Sequence, residues 1–524
     1  MRRRWLLVVV LVGATAACRS EPDVRATSAV PISTTVPGSP SDDPTVSGPA
    51  DDPAEGVGDA DPILPGSFEP APFDWEPASD RVDVATIAVP VDWSDPNGPT
   101  FELFVARYRA SDRSDRIGSL LVNPGGPGSE GSFLAFGAAS IYDDALLRHF
   151  DVIAWDPRGT GDSRPAIDCI DDYDRFFTVA DTTPENDAER RALVDLSRGF
   201  AEACIERNEY LEFVGTNNSA RDMDAIRRAL GEETISYFGF SYGSELGATW
   251  ATLFPDTVRA AVLDGAADPD ADELESSVQQ LQGFEASLST FLAQCSADPG
   301  CAFHSGGDSE EAFDALMERL DADPVPSGDP SRPPVNRDVA ITGVVEAMYT
   351  DFRWPELAQA LASAERGDGA GLMALNDSYY QRRPDGSYDN FLEAFPVISC
   401  ADVAERRTVA EIDADAPVLW AAAPRLVPEG SFGGYTCTFL PPAVDPRVEI
   451  TGAGAPTILV IGTTGDPSTP LDSTVRMANA LENSRLLVVE ADQHTGYGVN
   501  RCVVEAVNDY LIDLVAPTDG LRCS

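Results

Sequence analysis

Apolar residues along the middle of the chain fall into short unbroken runs at 118–123, 151–156, 235–240 and 260–264, each closed by Gly, Asn, Pro or Asp. Runs of this length, with no polar alternation, are the mark of strands buried on both faces. Segments of helical spacing lie between them, such as the stretch holding Leu246, Ala248, Thr249, Trp250, Ala251 and Leu253. The alternation predicts an α/β fold, a mostly parallel sheet with helices on both faces. Ahead of it, two β-prone stretches at 82–93 and 101–108 are separated by the turn signal DPNGP and predict an opening hairpin. The pattern changes at about 268, where amphipathic helical segments such as 274–292 and 310–320 take over. Strands return at 457–462 and 485–490. A helical block inserted between strands of one sheet is expected to cap the strand ends. The chain is therefore divided into a first core part at 73–267, a helical cap at 268–450 and a second core part at 451–524. There is no internal repeat.

The N-terminal region adds targeting information. MRRRWLLVVVLVGATAAC places arginines before an apolar stretch and small residues before Cys18, the layout of an export signal. It resembles a bacterial lipoprotein signal, with Thr15 where that pattern usually carries Leu. Residues 1–18 are read as this signal, Cys18 as the lipidated residue anchoring the protein to the outer face of the membrane, and a freely secreted product as the alternative. Residues 19–72, rich in Pro, Ser, Thr, Asp and Gly, are expected to be a disordered tether.

Of nine cysteines, eight remain after Cys18. An even number in an exported chain favours disulfides over metal ligation, and no C-x-x-C spacing or His/Cys cluster is present. Cys295 and Cys301 bracket the short loop CSADPGC and form the firmest pair. Neighbour pairing adds Cys169 with Cys204, Cys400 with Cys437 and Cys502 with Cys523. The chain carries 87 acidic residues against 37 basic ones, all arginine, for a formal charge of −50. Such a surface repels phosphate backbones, so nucleic acid is not expected as a partner. A solvated acidic surface that favours solubility is the simplest account of it.

Candidate chemistry begins at GFSYGSELG, residues 239–247, between a β-prone run and a helical one. In G-x-S-x-G the serine sits on a tight strand-to-helix turn where side chains on the flanking residues would collide with backbone, which nominates Ser241 as nucleophile. Only three histidines are present. His149 reads as a helix end and His304 sits beside Cys301, whereas His494 lies in a glycine-containing loop directly after the strand RLLVVE and is the expected base. Asp466, in VIGTTGDPSTP at the end of another strand, is the expected acid, although alone it would pass for a turn residue before proline. The order Ser241, Asp466, His494, each after a strand, is that of the α/β-hydrolase fold. The glycine-rich NPGGPGSEG at 123–131 follows an early strand, where this fold places an oxyanion donor. Gly126 is assigned as that donor and the amide of Tyr242 as the second. No cofactor and no metal are called for.

NPGGPGSEG, DPRGTGDS at 156–163, GFSYGSELG, and GTTGDPSTP followed by QHTGYG together resemble the proline iminopeptidase and tripeptidyl aminopeptidase branch of the α/β-hydrolases, in particular exported actinobacterial enzymes with a C-terminal TAP-like segment. The resemblance runs from about residue 73 to the C-terminus. It implies Ser241 as nucleophile, Asp466 as acid and His494 as base, and it places DPRGTGDS in the floor of the site with Arg158 in structural ion pairs. The chain departs from the iminopeptidases in carrying Asn123 where they show His, so the resemblance leaves proline specificity open. Glu245, one helical turn past the nucleophile, is placed to meet a substrate's free amino terminus or else to pair with an arginine. Glu393 in the cap is a second candidate for the amine. Asp222, in SARDMDAIRRALG, reads as a capping-box residue with Ser219 as N-cap.

The first functional reading is an exported serine exopeptidase that releases short peptides or residues from free N-termini of peptides or proteins through an acyl-enzyme. A carboxylester hydrolase on the same fold and a catalytically silent peptide-binding lipoprotein are the alternatives, since fold and triad do not set the leaving group.

Overall fold

The computed structural model describes residues 68–178 and 181–524. The signal reading of 1–18, the lipidation of Cys18 and the tether up to residue 67 lie outside the described residues. The end of the stretch expected as tether is not free: Phe68 packs edge-on against Trp93 with ring centroids 5.4 Å apart, and Arg228 donates to its carbonyl. The folded chain thus begins by residue 68.

Ten strands form one sheet: β1 (Glu76–Pro77), β2 (Val82–Pro90), β3 (Thr100–Tyr108), β4 (Gly118–Asn123), β5 (Phe150–Trp155), β6 (Ile235–Phe240), β7 (Val258–Asp264), β8 (Ile458–Thr463), β9 (Ser484–Val489) and β10 (Leu521–Cys523). Their spatial order is β1-β2-β3-β5-β4-β6-β7-β8-β9-β10. The opening hairpin β2–β3 is antiparallel, with Val82 opposite Tyr108 and Pro90 opposite Thr100, and β3 pairs antiparallel with β5. From β5 to β10 every neighbouring pair is parallel. β2 stops at Pro90 rather than running to residue 93.

Side chains alternate across the sheet as the pleat requires. Leu120 and Val122 enter one apolar core and Leu121 the other; Val262 and Leu263 divide in the same way. Both faces are covered, which is why the strands read as unbroken apolar runs. Between β7 and β8 the chain builds a helical block from Glu273–Ala297 through Ser309–Ala322, Arg337–Met348, Trp354–Glu365, Ala370–Tyr379 and Phe391–Ala401 to Val409–Ala422. Leu288, Phe313, Val344, Leu361 and Leu372 are wholly buried in a core of its own.

Disulfides join Cys169 to Cys204, Cys295 to Cys301, Cys400 to Cys437 and Cys502 to Cys523, the neighbour pairing. One local expectation is overturned. The helix read as starting after Ser219 begins at Thr216, with Gly215 at its N-cap, so Ser219 and Asp222 lie within it. Asp222 caps nothing: it is the fully buried partner of Arg158, whose Nε and Nη2 reach its carboxylate at 2.8 and 2.6 Å. Arg158 also donates to the carbonyls of Val91, Phe213 and Pro90, so its guanidinium adds a tie between the DPRGTGDS loop and the end of β2 to those that Asp156 N and Ser163 Oγ make with Phe104 of β3.

Candidate active site

Parallel strands deliver their C-terminal ends to one edge of the sheet, and three adjacent ones, β6, β7 and β8, shape the site. β6 runs into Ser241, which holds φ 55° and ψ −128° before the helix Tyr242–Leu253. A non-glycine residue there is strained, and such strain persists only where its surroundings over-determine it. The surroundings do so here. Ser241 N–H donates to the Asp264 carbonyl at 2.8 Å, and its own carbonyl accepts from Ser244 N at 2.8 Å. The flanking glycines are obligatory: a Cβ on Gly239 would lie 2.2 Å from the Gly243 carbonyl oxygen, and one on Gly243 2.8 Å from that of Asn123.

Asp466 follows β8 and its side chain is out of solvent. Its Oδ1 accepts from Ser468 N at 3.0 Å and Thr469 N at 2.8 Å, and its Oδ2 from Thr495 N at 3.1 Å. His494 Nδ1 completes the set at 2.9 and 3.0 Å from the two oxygens. With Nδ1 facing the carboxylate, that nitrogen carries the proton and Nε2 is left as the basic one. Nε2 is buried with no hydrogen-bond partner among the described residues, Ser241 included. Burial alone would lower the His494 pKa. The charge and hydrogen bond of Asp466, with Asp264 behind, outweigh it and raise the pKa above its ordinary value. The other histidines are used structurally: His149 Nδ1 bonds to the Ala145 carbonyl and His304 Nδ1 to that of Cys295.

The glycine-rich turn after β4 lies over the nucleophile. A Cβ on Gly125 would come within 2.9 Å of Ser241 Cβ and 3.1 Å of Tyr242 N. Asn123 Oδ1 accepts from Gly125 N at 2.9 Å, a turn-shaping bond. The amides of Gly126 and Tyr242, by contrast, have no acceptor among the described residues. Tyr242 is held from below through its hydroxyl, 2.6 Å from Thr216 Oγ1, which bonds in turn to Asp402 at 2.6 Å. Burial, and then the nearby Glu245, push Asp402 up to about 7.

The two acids expected to meet a substrate amine are occupied. Glu245 forms an ion pair with Arg447, 202 positions along the chain. Glu393 is buried, and its carboxylate accepts from the Tyr173 hydroxyl and from the amides of Cys169 and Ile170. Neither is free to take a cation. Sequence reasoning passed over Glu130, two residues beyond Gly128 in the same loop. It is half-buried and makes no hydrogen bond or ion pair among the described residues. Burial first, then Asp156 and Asp389, push its carboxyl up to about 7. Its place in NPGGPGSEG was the available signal.

The helical block closes over these elements. A Cβ on Gly283 would sit 2.4 Å from the Pro467 carbonyl oxygen, and one on Gly128 2.7 Å from Phe395 N. His494 N donates to the Tyr349 carbonyl at 2.8 Å, Thr350 bridges to Gln493, and Asp351 N donates to the Asp492 carbonyl at 3.2 Å. The Tyr349 ring meets the imidazole edge-on at 5.5 Å. Among the described residues no group of His, Cys, Asp and Glu side chains is arranged to hold a metal ion.

A doubly covered parallel sheet, a serine on a strained turn after one strand, and an acid and a histidine joined after later strands define an α/β-hydrolase. Comparison with known proteins gives the same class: the family model for the α/β-hydrolase fold matches residues 118–305, and that for TAP-like proteins matches residues 431–523. The chain is 34% identical over 467 residues to a protein of Mycobacterium tuberculosis named serine protease Hip1, covering 83% of this chain and 86% of that one. It is 35% identical over 464 residues to carboxylesterase B of the same species, covering 84% and 86%. It is 31% identical over 462 residues to tripeptidyl aminopeptidase of Streptomyces lividans, covering 84% of each. The chain belongs to the TAP-like serine hydrolases of the α/β-hydrolase fold.

Proposed function

We propose that the protein is an exported serine aminopeptidase that releases short peptides or residues from free N-termini. Ser241 is the nucleophile, His494 its general base and later the acid for the leaving amine, and Asp466 the group that fixes the imidazole. The amides of Gly126 and Tyr242 receive the oxyanion. The observation that carries the reading is the buried Asp466–His494 pair at 2.9 Å, on the same sheet edge as the strained Ser241 turn with β7 between them. Identity to a tripeptidyl aminopeptidase across most of the chain supports the peptide substrate. Four disulfides and the composition of residues 1–18 support export, with Cys18 as a membrane lipid anchor.

With Glu245 and Glu393 occupied, Glu130 is the carboxylate proposed to receive the substrate ammonium. A cation there offsets the burial cost, and the repulsion from Asp156 and Asp389, that hold its proton on. N-acetylation of a tripeptide anilide removes the charge and leaves the scissile bond untouched. A charge-assisted pair of about 1.5–3 kcal/mol then corresponds to roughly a tenfold to hundredfold loss in kcat/KM. Glu130→Gln is expected to narrow the gap between free and acetylated substrates. Equal hydrolysis of both by the unaltered protein overturns the aminopeptidase reading. Carboxylester hydrolysis is the second reading, favoured by the 35% identical carboxylesterase B. Faster turnover of a short-chain aryl ester than of any free-amine peptide would establish it.

The base must be neutral to accept a proton. Because Asp466 raises the His494 pKa, kcat/KM is expected to fall on acidification through an apparent pKa above 6.5. A pH–rate profile checks this, and an acid limb below 6.5 contradicts it.

A further inference from the structure

β7 lies between the strands that carry Ser241 and Asp466, and it ends in Asp264, a side chain with no solvent exposure. The Asp264 carbonyl accepts from Ser241 N at 2.8 Å. Its carboxylate faces the other way: Oδ1 accepts from Gly496 N at 2.7 Å and Oδ2 from Tyr497 N at 2.8 Å, closing the turn that follows His494. The next residue, Gly265, adopts φ 71° and donates to the Ile461 carbonyl of β8 at 2.9 Å. A Cβ there would lie 3.1 Å from His494 Cε1. One dipeptide therefore touches the serine turn, the strand leading to Asp466 and the histidine turn.

We infer that Asp264 is a positioning residue for hydrolysis at this site: its main chain fixes the serine, while its carboxylate fixes the histidine turn and supplies a second negative charge behind the imidazole. The inference rests on the reading of Ser241 and His494 given above. The carboxylate accepts from both amides, one on each oxygen, where a side-chain amide could accept from only one, and it brings a charge to the side of the imidazole. The groups facing it are those two amides, His494 and Asp466. Burial pushes its pKa up to about 7, with the two amides, then His494, pulling it down and Asp466 raising it. It therefore ionises in the range where the imidazole changes charge, and the two titrations are coupled.

Asp264→Asn leaves the main-chain carbonyl that accepts from Ser241 N in place and changes only the side chain. The amide keeps one acceptor and turns a donor toward the other N–H. Turnover is measured per active site, counted with a fluorophosphonate that labels Ser241. The variant is expected to lose about tenfold to a hundredfold in kcat, with KM within about twofold. The acid limb of kcat/KM is expected to move to lower pH, because a charge that favours imidazolium is gone. Unchanged kcat per labelled site with an unmoved acid limb overturns the inference. If the variant does not fold, the His494 ring nitrogen shifts of the unaltered protein decide, assigned by comparison with His494→Gln. A second inflection near 7 is expected, and a single inflection overturns it. Failure of the underlying reading is distinct: the unaltered protein would then not be labelled at Ser241.

Discussion

Ser241→Ala is expected to lower kcat on a peptide anilide or an aryl ester by on the order of 10⁴- to 10⁶-fold, the range seen when one member of a serine–histidine pair is removed. His494→Ala should cost a similar factor. The double variant should be little worse than either, because a base with no nucleophile to deprotonate contributes nothing. Labelling by a fluorophosphonate should vanish in Ser241→Ala and survive, slowed, in His494→Ala. The stability readout runs the other way. Ser241 sits at φ 55° and ψ −128°, a conformation that costs a side-chain-bearing residue about 1–3 kcal/mol. Ser241→Gly is therefore expected to be inactive and to unfold at a higher temperature than the unaltered protein, whereas Ser241→Ala keeps the strain. Retained activity in Ser241→Ala would remove the serine mechanism altogether.

Asp222→Ala is expected to have the largest effect on stability, about 3–5 kcal/mol by urea denaturation, because it leaves a charged Arg158 side chain with no exposure and no counter-charge. The pair holds the DPRGTGDS loop against the hairpin through the carbonyls of Pro90, Val91 and Phe213. A double replacement, Arg158→Met with Asp222→Leu, should lose less than Asp222→Ala, since no buried charge remains unpaired. A loss below about 1 kcal/mol in Asp222→Ala would mean that Arg158 is neutralised by its carbonyl partners alone.

Where the sequence was informative, the reason is local. β4 and β6 were read to the residue because strands buried on both faces are continuously apolar and stop at glycine, asparagine or a turn. Asp466 and His494 stood out because each follows such a strand within a few positions. What stayed hidden depends on partners far along the chain. Glu245 carries no sign that Arg447 will reach it, and Asp222 carries none of Arg158. The spacing of Ser219 and Asp222 imitates a capping box, but the helix starts earlier because its residues from Thr216 onward are buried against the core. Asp264 was legible as the end of a strand and illegible as a hub, because its contacts to the Ser241 turn and to the turn after His494 arise only when β6, β7, β8 and β9 lie side by side.

The helical block meets the histidine through main chain as well as through the Tyr349 ring. His494 N donates to the Tyr349 carbonyl, and Asp351 N donates to that of Asp492. The histidine is thus held from two sides, by Asp466 through its ring and by the block through its main chain. Because the two bonds to the block are backbone bonds, no side-chain truncation removes them, and the position of the base is shared between the sheet that carries it and the block that covers it.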